Sequence, residues 1–331
     1  MPLSRAGWHA ARWRRGSAAL IIAISIGLAG CSGVAAKSVP SPSSDSAHTA
    51  GSIPSAANPT SSTNNASPAS SVDKVLVIVE ENRSVVDVEA HMPFLMSQAR
   101  TFGTATNFYA IRHPSLPNYL TLAGGSTFGV TDDRAPDEHP LKGPSLFGQL
   151  VSAGRTAKTY ADAMPTNCSR KSHDTYATKH NPWTYFDDSA ERAACERFDV
   201  PSGSPSGGAL IDDVKSGQLP TFALVVPNIC HDGHDCSAAT ADDWLQSWIA
   251  AIQKGPDFTS NRLAIVITWD EDDNHSGNQV PMVVIHPSLQ GKQVTKHLDH
   301  YGLSAGIARI GGVSPLRDAD KGTDALAAFG L

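Results

Sequence analysis

Lys74-Val75-Leu76-Val77-Ile78-Val79-Glu80-Glu81-Asn82-Arg83-Ser84 is the stretch that decides the fold. Residues 75–79 are all apolar and mostly β-branched, which leaves no polar face. That is the pattern of a strand covered on both sides. Similar runs recur at Phe222-Ala223-Leu224-Val225-Val226, Leu263-Ala264-Ile265-Val266-Ile267 and Met282-Val283-Val284-Ile285. Helical patterns lie between them. Pro93 can open one over 93–98, and another covers 145–151. The clearest covers 240–252: Thr240 can cap, Asp242 and Asp243 suit the first turn, and Leu245, Trp248, Ile249 and Ile252 share a face. Strands alternating with helices predict an α/β fold, a three-layer α/β/α sandwich on a mostly parallel central sheet. No internal repeat is visible.

The chain has 331 residues, enough for one large domain or two ordinary ones, and its 40% hydrophobic content against 18% charged supplies a sizeable core. The first thirty residues do not belong to that core. Arg5, Arg12, Arg14 and Arg15 form a basic start, an apolar stretch runs over 18–29, and Leu28-Ala29-Gly30-Cys31 ends it. This is a secretory signal, and its end resembles the lipobox of bacterial lipoproteins, in which the cysteine is lipidated and becomes the first residue. An uncleaved anchor is the alternative, but the stretch is short against the ~20 residues a spanning helix needs. Residues 31–72, rich in Ser, Ala, Pro, Thr and Asn, cannot bury enough surface to offset their ordering entropy and read as a disordered tether. Residues 73–331 form the functional domain. The expected location is the outer face of the cell membrane, through lipid on Cys31. Losing residues 1–30 removes four arginines and no acid, taking the formal net charge from −6 to −10. Such a surface excludes a nucleic-acid partner.

Beyond Cys31 four cysteines remain, an even number suited to an oxidising compartment. Three pairings are open. The local one, Cys168 with Cys195 and Cys230 with Cys236, is the one expected; neither pair has zinc-type Cys-x-x-Cys spacing.

In a parallel sheet, ligands bind beyond the carboxyl ends of the strands. The first run ends in Glu80-Glu81-Asn82-Arg83-Ser84. The second ends in Pro227-Asn228-Ile229-Cys230-His231-Asp232-Gly233-His234-Asp235-Cys236, and the third in Trp269-Asp270-Glu271-Asp272-Asp273-Asn274. Any one alone reads as a polar loop. Three together read as a site whose carboxylates repel unless a cation neutralises them, and these oxygen donors suit a hard divalent ion. A fourth segment, Ile111-Arg112-His113-Pro114-Ser115-Leu116-Pro117-Asn118-Tyr119-Leu120, sets a hydroxyl between two prolines before a helix. Ser115 is there either an ordinary N-cap or a nucleophile favoured by the helix N-terminus.

Glu81-Asn82-Arg83-Ser84, His113-Pro114-Ser115-Leu116-Pro117-Asn118-Tyr119, Lys179-His180-Asn181-Pro182, Cys230-His231-Asp232-Gly233-His234-Asp235-Cys236 and Thr268-Trp269-Asp270-Glu271 follow one another in chain order. Together they resemble the phosphoesterase family of bacterial phospholipases C and acid phosphatases, within the alkaline-phosphatase-like superfamily, over about residues 74–312. The resemblance implies that Glu81, Asn82, Asp270 and Glu271 bind a metal with Ser115, and that Ser115 is the nucleophile. It implies that His234 and His300 contact phosphate, protonate the leaving group or bind a second metal, and that His180 and Asn181 contact phosphate. Asn118 and His231 join these as substrate-binding candidates. Asn228 stands where two-metal relatives have Asp, and Glu271 where they have His, which favours one divalent ion over two.

The activity so implied is metal-dependent hydrolysis of phosphate monoesters through a phosphoserine, with a small phosphorylated molecule or a phospholipid as substrate. The alternative within enzymes is a phosphodiesterase or phospholipase C; the alternative of another class is a non-catalytic substrate-binding lipoprotein. His91, His139, His173, His275 and His286 are expected to be solvated or core residues, His113 is intermediate because it adjoins Ser115, and Trp244 with Trp248 reads as core. Oligomeric state has no sequence signal.

Overall fold

Strand β1 (Lys74–Glu80) is buried at all seven positions, as its unbroken apolar run requires. Its neighbours on either side are β6 (Phe222–Val226) and β7 (Leu263–Trp269), both parallel to it and both wholly buried. A computed structural model describes residues 72–331; the signal segment, Cys31 and residues 31–71 of the tether lie outside the described residues. The other strands are β2 (Gly103–Ala105), β3 (Phe108–Tyr109), β4 (Ala157–Ala161), β5 (Asp199–Pro201), β8 (Met282–Ile285), β9 (Lys292–Val294) and β10 (Leu298–Asp299). They form an eight-stranded sheet in the order β5-β4-β6-β1-β7-β8-β2-β9 and a separate pair, β10-β3. Only β8 runs against its neighbours, so the sheet is mostly parallel and the α/β reading holds.

The helices are α1 (Val85–His91), α2 (Pro93–Thr101), α3 (Leu116–Gly124), α4 (Leu146–Ser152), α5 (Ser189–Phe198), α6 (Ala209–Ser216), α7 (Ala238–Ile252), α8 (Pro256–Thr259), α9 (His300–Ile310) and α10 (Ala325–Phe329). α1, α2, α6 and α7 pack together, and α3, α4, α5 and α9 form a second group. Helices on both faces are what a strand such as β1 demands, since its side chains alternate between faces and none reaches water.

The α7 helix starts earlier than expected. Ser237, not Thr240, is its N-cap, with the Ser237 hydroxyl accepting from the Thr240 backbone N–H. Leu245, Trp248, Ile249 and Ile252 are buried as one face. Asp242 does not serve its own first turn. It is buried and turned to α2, where its two oxygens accept from the N–H groups of Phe94 and Leu95 at 2.8 and 2.9 Å. The N-cap of α2 is Met92, which has no capping side chain, so a carboxylate from another helix does that work.

Asp242→Ala therefore leaves two helix-start donors without an acceptor. It is expected to lower stability by about 2 kcal/mol, read as a shift in the urea midpoint. Catalysis at low temperature should change far less, because both Asp242 oxygens are spent on the start of α2.

Candidate active site

Hydrogen bonding between strands continues past the end of β1. Glu81 N–H donates to the Asp232 carbonyl and Asp270 N–H to the Glu80 carbonyl, both at 3.0 Å. Three loops that are far apart in sequence are thereby fixed side by side at the carboxyl edge of the sheet. Asn82 sits in the left-handed region at φ 53°, which Asn tolerates better than most residues. Its N–H points at Asp270 Oδ1, 3.3 Å away.

Ser115 immediately precedes α3 in helical geometry, and its side chain makes no capping hydrogen bond. The cap is supplied by Asp133, whose Oδ1 accepts from Leu116 N–H at 2.9 Å. The Ser115 hydroxyl is thus released from the N-cap role. It donates to Glu81 Oε2 at 3.3 Å and accepts from Lys179 Nζ at 3.2 Å, with Ser115 only 1% exposed. Lys179 Nζ also reaches Asp133 Oδ2 at 3.3 Å. Behind the serine, Asn118 is wholly committed to the backbone. Its Oδ1 accepts from the N–H groups of Ile111 and Arg112, and its Nδ2 donates to the carbonyls of Arg112 and Pro114. Asn118 shapes the turn that carries Ser115 and has no donor left for phosphate.

Glu81 is completely buried. Burial alone would raise its pKa; the facing His180 charge, with Lys179 behind it, outweighs this and holds the carboxyl down at about 2. His180 Nε2 lies 2.7 Å from Glu81 Oε1 and Nδ1 lies 3.2 Å from Asp232 Oδ2. Burial opposes the His180 charge, but these two carboxylates lift its pKa to about 9. Tyr119 stacks on the ring at 5.2 Å and donates its hydroxyl to Glu81 at 3.3 Å. At 1% exposure His180 is shut away from solvent and fixes Glu81.

Asp270 and Glu271 stand differently. Burial first, then the charges of Glu81 and Glu271, push Asp270 well above the carboxylate range; burial, then Glu81 and Asp133, push Glu271 to about 8. Asp270 Oδ2 is buried with no hydrogen-bond partner. An unpartnered carboxylate oxygen beside two further acids and a serine hydroxyl is a donor set that fits a hard divalent cation. Among the described residues, the one trio of Cys, His or acid ligand atoms within 4.8 Å of one another is Cys168, Cys195 and Asp199, and its sulfurs are joined as a disulfide. The three acids of the site are thus spaced more widely than a closed cage. His113 leans on this group, with Nδ1 3.0 Å from Glu271 and Nε2 3.0 Å from Asp272.

Both expected disulfides are present, Cys168–Cys195 and Cys230–Cys236. The second closes the loop after β6, where His234 Nδ1 lies 2.7 Å from Asp235 and the ring sits 6.2 Å from that of His180. His231 Nδ1 lies 2.6 Å from Asp162, its ring stacked on Trp244; only Trp248 of the two tryptophans is core. Arg83 ties this loop to α1 by donating to the carbonyls of Gly233 and Cys236, both at 2.9 Å. Two residues stand apart from the roles expected of them. Asn181 is fully buried and donates to Asp199 and to the Tyr176 hydroxyl, so its amide serves the packing around the Cys168–Cys195 bridge. His300 is buried, gives its Nε2 proton to the Trp269 carbonyl at 2.9 Å, and is driven by burial to a pKa of about 4. Its Nδ1 is buried without a hydrogen-bond partner.

Asp133, Asp162 and Lys179 were not singled out from sequence. Asp162 follows β4 directly, but that strand's mixed Ala157-Lys158-Thr159-Tyr160-Ala161 gives no apolar run to flag its end. Asp133 lies in an irregular loop with no periodicity on either side.

The chain with this strand-end cluster of acids around a buried serine belongs to the Phosphoesterase family, whose model matches residues 87–314. It is a hydrolase acting on phosphoric ester bonds. It is 33% identical to a phosphatidylinositol-3-phosphatase of Mycobacterium tuberculosis over 72% of this chain and 77% of that protein. It is 28% identical to an acid phosphatase of Aspergillus fumigatus over 74% of this chain and 56% of that protein. The chain spans little more than half the length of that fungal relative. In fold it is similar to an alkaline phosphatase superfamily protein from Vibrio parahaemolyticus, with TM-score 0.51, 11% identity, and 76% and 69% of the two chains covered.

Replacing Cys230 and Cys236 together by Ser loosens the loop that carries His234. The closed loop is short, so its entropic contribution to stability is small. Activity is expected to fall about tenfold to a hundredfold, with a much smaller proportional change in melting behaviour. A variant that melts early yet retains full kcat/KM in the cold would make the bridge a simple brace.

Proposed function

We propose that the domain hydrolyses phosphate monoesters, with Ser115 as covalent nucleophile and one divalent cation held by Glu81, Asn82, Asp270 and Glu271 beside it. The observation that carries this reading is the Ser115 hydroxyl, freed from capping by Asp133 and facing Glu81 and Lys179. Both kinds of named relative, a phosphatidylinositol-3-phosphatase and acid phosphatases, act by name on phosphate and support a monoester. The cation, when bound, screens the phosphoryl oxygens and favours the ionised form of the Ser115 hydroxyl.

The chain's own groups do the rest. Ser115 Oγ attacks phosphorus, and the alcohol leaves as a phosphoserine forms. The start of α3 lies behind that oxygen and favours negative charge there. His234 is one-third exposed and pinned through Nδ1 to Asp235, which leaves Nε2 to deliver the proton to the departing alkoxide. The now neutral Nε2 takes a proton from the water that cleaves the phosphoserine. Glu81 is kept ionised and in place by His180, and Asn118 holds the turn beneath the nucleophile. We propose further that lipid on Cys31 holds the domain at a membrane surface, in which case Cys31→Ser should release the exported protein into the medium.

Ser115→Ala is expected to lower turnover of p-nitrophenyl phosphate by about a thousandfold or more, with the domain still folded by circular dichroism. Dialysis against a chelator should abolish turnover and a divalent salt should restore it. The diester bis-p-nitrophenyl phosphate should turn over far more slowly. Sizeable activity in Ser115→Ala, or full activity after chelation, contradicts the nucleophile or the cation respectively.

A further inference from the structure

Two side chains hydrogen-bond with the Ser115 hydroxyl, Glu81 and Lys179. Glu81 accepts its proton and so favours the protonated hydroxyl. Lys179 alone donates to this oxygen, from 3.2 Å, and so favours its anion. The ammonium is set by Asp133, whose Oδ2 lies 3.3 Å from Nζ while its Oδ1 accepts from Leu116 N–H, the residue next to the nucleophile. One carboxylate thus fixes both the nucleophile's helix and the amine. On its outer side Lys179 borders a cavity of about 170 Å³ shared with Asp133, Ser172, Thr178 and Tyr185, so small solutes reach the amine.

We propose that Lys179 is a catalytic residue that carries the charge of the Ser115 oxygen whenever it is unprotonated, with Asp133 as its positioning residue. This rests on the reading of Ser115 as nucleophile. In the first half-reaction the Oγ–P bond forms as the bond from phosphorus to the alcohol breaks. The hydroxyl proton passes to solvent, and the alcohol takes one from His234. In the second half the water oxygen bonds to phosphorus, the Oγ–P pair returns to Oγ, the water proton goes to His234, and Oγ regains its own proton from solvent. Charge on Oγ fades during attack and develops during departure. A fixed donor therefore assists the second half more, so losing it makes dephosphorylation the slow step.

The test is rapid mixing of Lys179→Ala, Lys179→Arg and Asp133→Asn with p-nitrophenyl phosphate. Lys179→Ala is expected to lose about a hundredfold in kcat and to release a burst of roughly one nitrophenol per protein before a slow steady state. Acid-quenched samples should show phosphate on Ser115 by mass spectrometry, and added methylammonium should restore part of kcat through the cavity. Asp133→Asn keeps an acceptor for Leu116 N–H and should lose about tenfold in kcat with little change in KM, and Lys179→Arg should lie between wild type and Lys179→Ala. The proposal is overturned if Lys179→Ala turns over within about twofold of wild type, or if it is slow with neither burst nor amine rescue. Activity in Ser115→Ala would instead remove the nucleophile, a failure recognisable without any Lys179 variant.

Discussion

A carboxylate that stays ionised wholly out of water needs its counter-charge within the protein, and Glu81 finds it in His180 at 2.7 Å. Much of the strand-end edge follows from that pair. His180 needs a second acceptor and has Asp232, which the ladder bond from Glu81 N–H already places alongside. Tyr119 fills the space against the ring, and that contact fixes α3 relative to β1. Ser115, at the start of the same helix, is then held against the other Glu81 oxygen. Asp270 has no comparable partner and Glu271 has only the half-buried His113; burial first, and then the negative charge of the neighbouring acids, raises the pKa of both. The same charge that would repel an anionic ester becomes attractive once a cation lies among these oxygens.

Much of this was legible in the sequence. The four uniform apolar runs became β1, β6, β7 and β8 with little change of limits, because a strand buried on both faces has no freedom to vary its pattern. The polar residues just past three of those runs were accordingly placed together. The short edge strands were not legible: Gly103-Thr104-Ala105 and Lys292-Gln293-Val294 are held by their neighbours in the sheet and have no pattern of their own. Capping failed for a related reason. Thr240 was a sound local choice, but Ser237 lies a turn earlier, and the partner of Asp242 is a helix almost 150 residues away, which no window along the chain includes.

The amides taught the same lesson at the site. Asn118 and Asn181 stand in the motifs that carry the family resemblance, and both are buried with their donors spent on protein acceptors. A motif records that a residue is needed near the chemistry without saying whether it touches the substrate or holds something that does. Lys179 is the converse. It lies one residue from His180, and only the three-dimensional arrangement distinguishes the side chain that is sealed behind Glu81 from the one that reaches the serine oxygen.

The register of β1 against β7 has a consequence for how the molecule comes into being. Asn82 and Asp270 meet across 188 positions of chain, and the central strand has β6 and β7 as its two neighbours, both encoded far downstream of it. Closing loops of that length before any pairing energy is gained is slow. While the chain emerges from its N-terminal end, β1 has neither neighbour and its apolar residues have nothing to pack against. A nascent chain that stops short of Trp269 holds the acids of one strand end without those of the other, so this edge of the sheet is assembled only after Asp270 has been made.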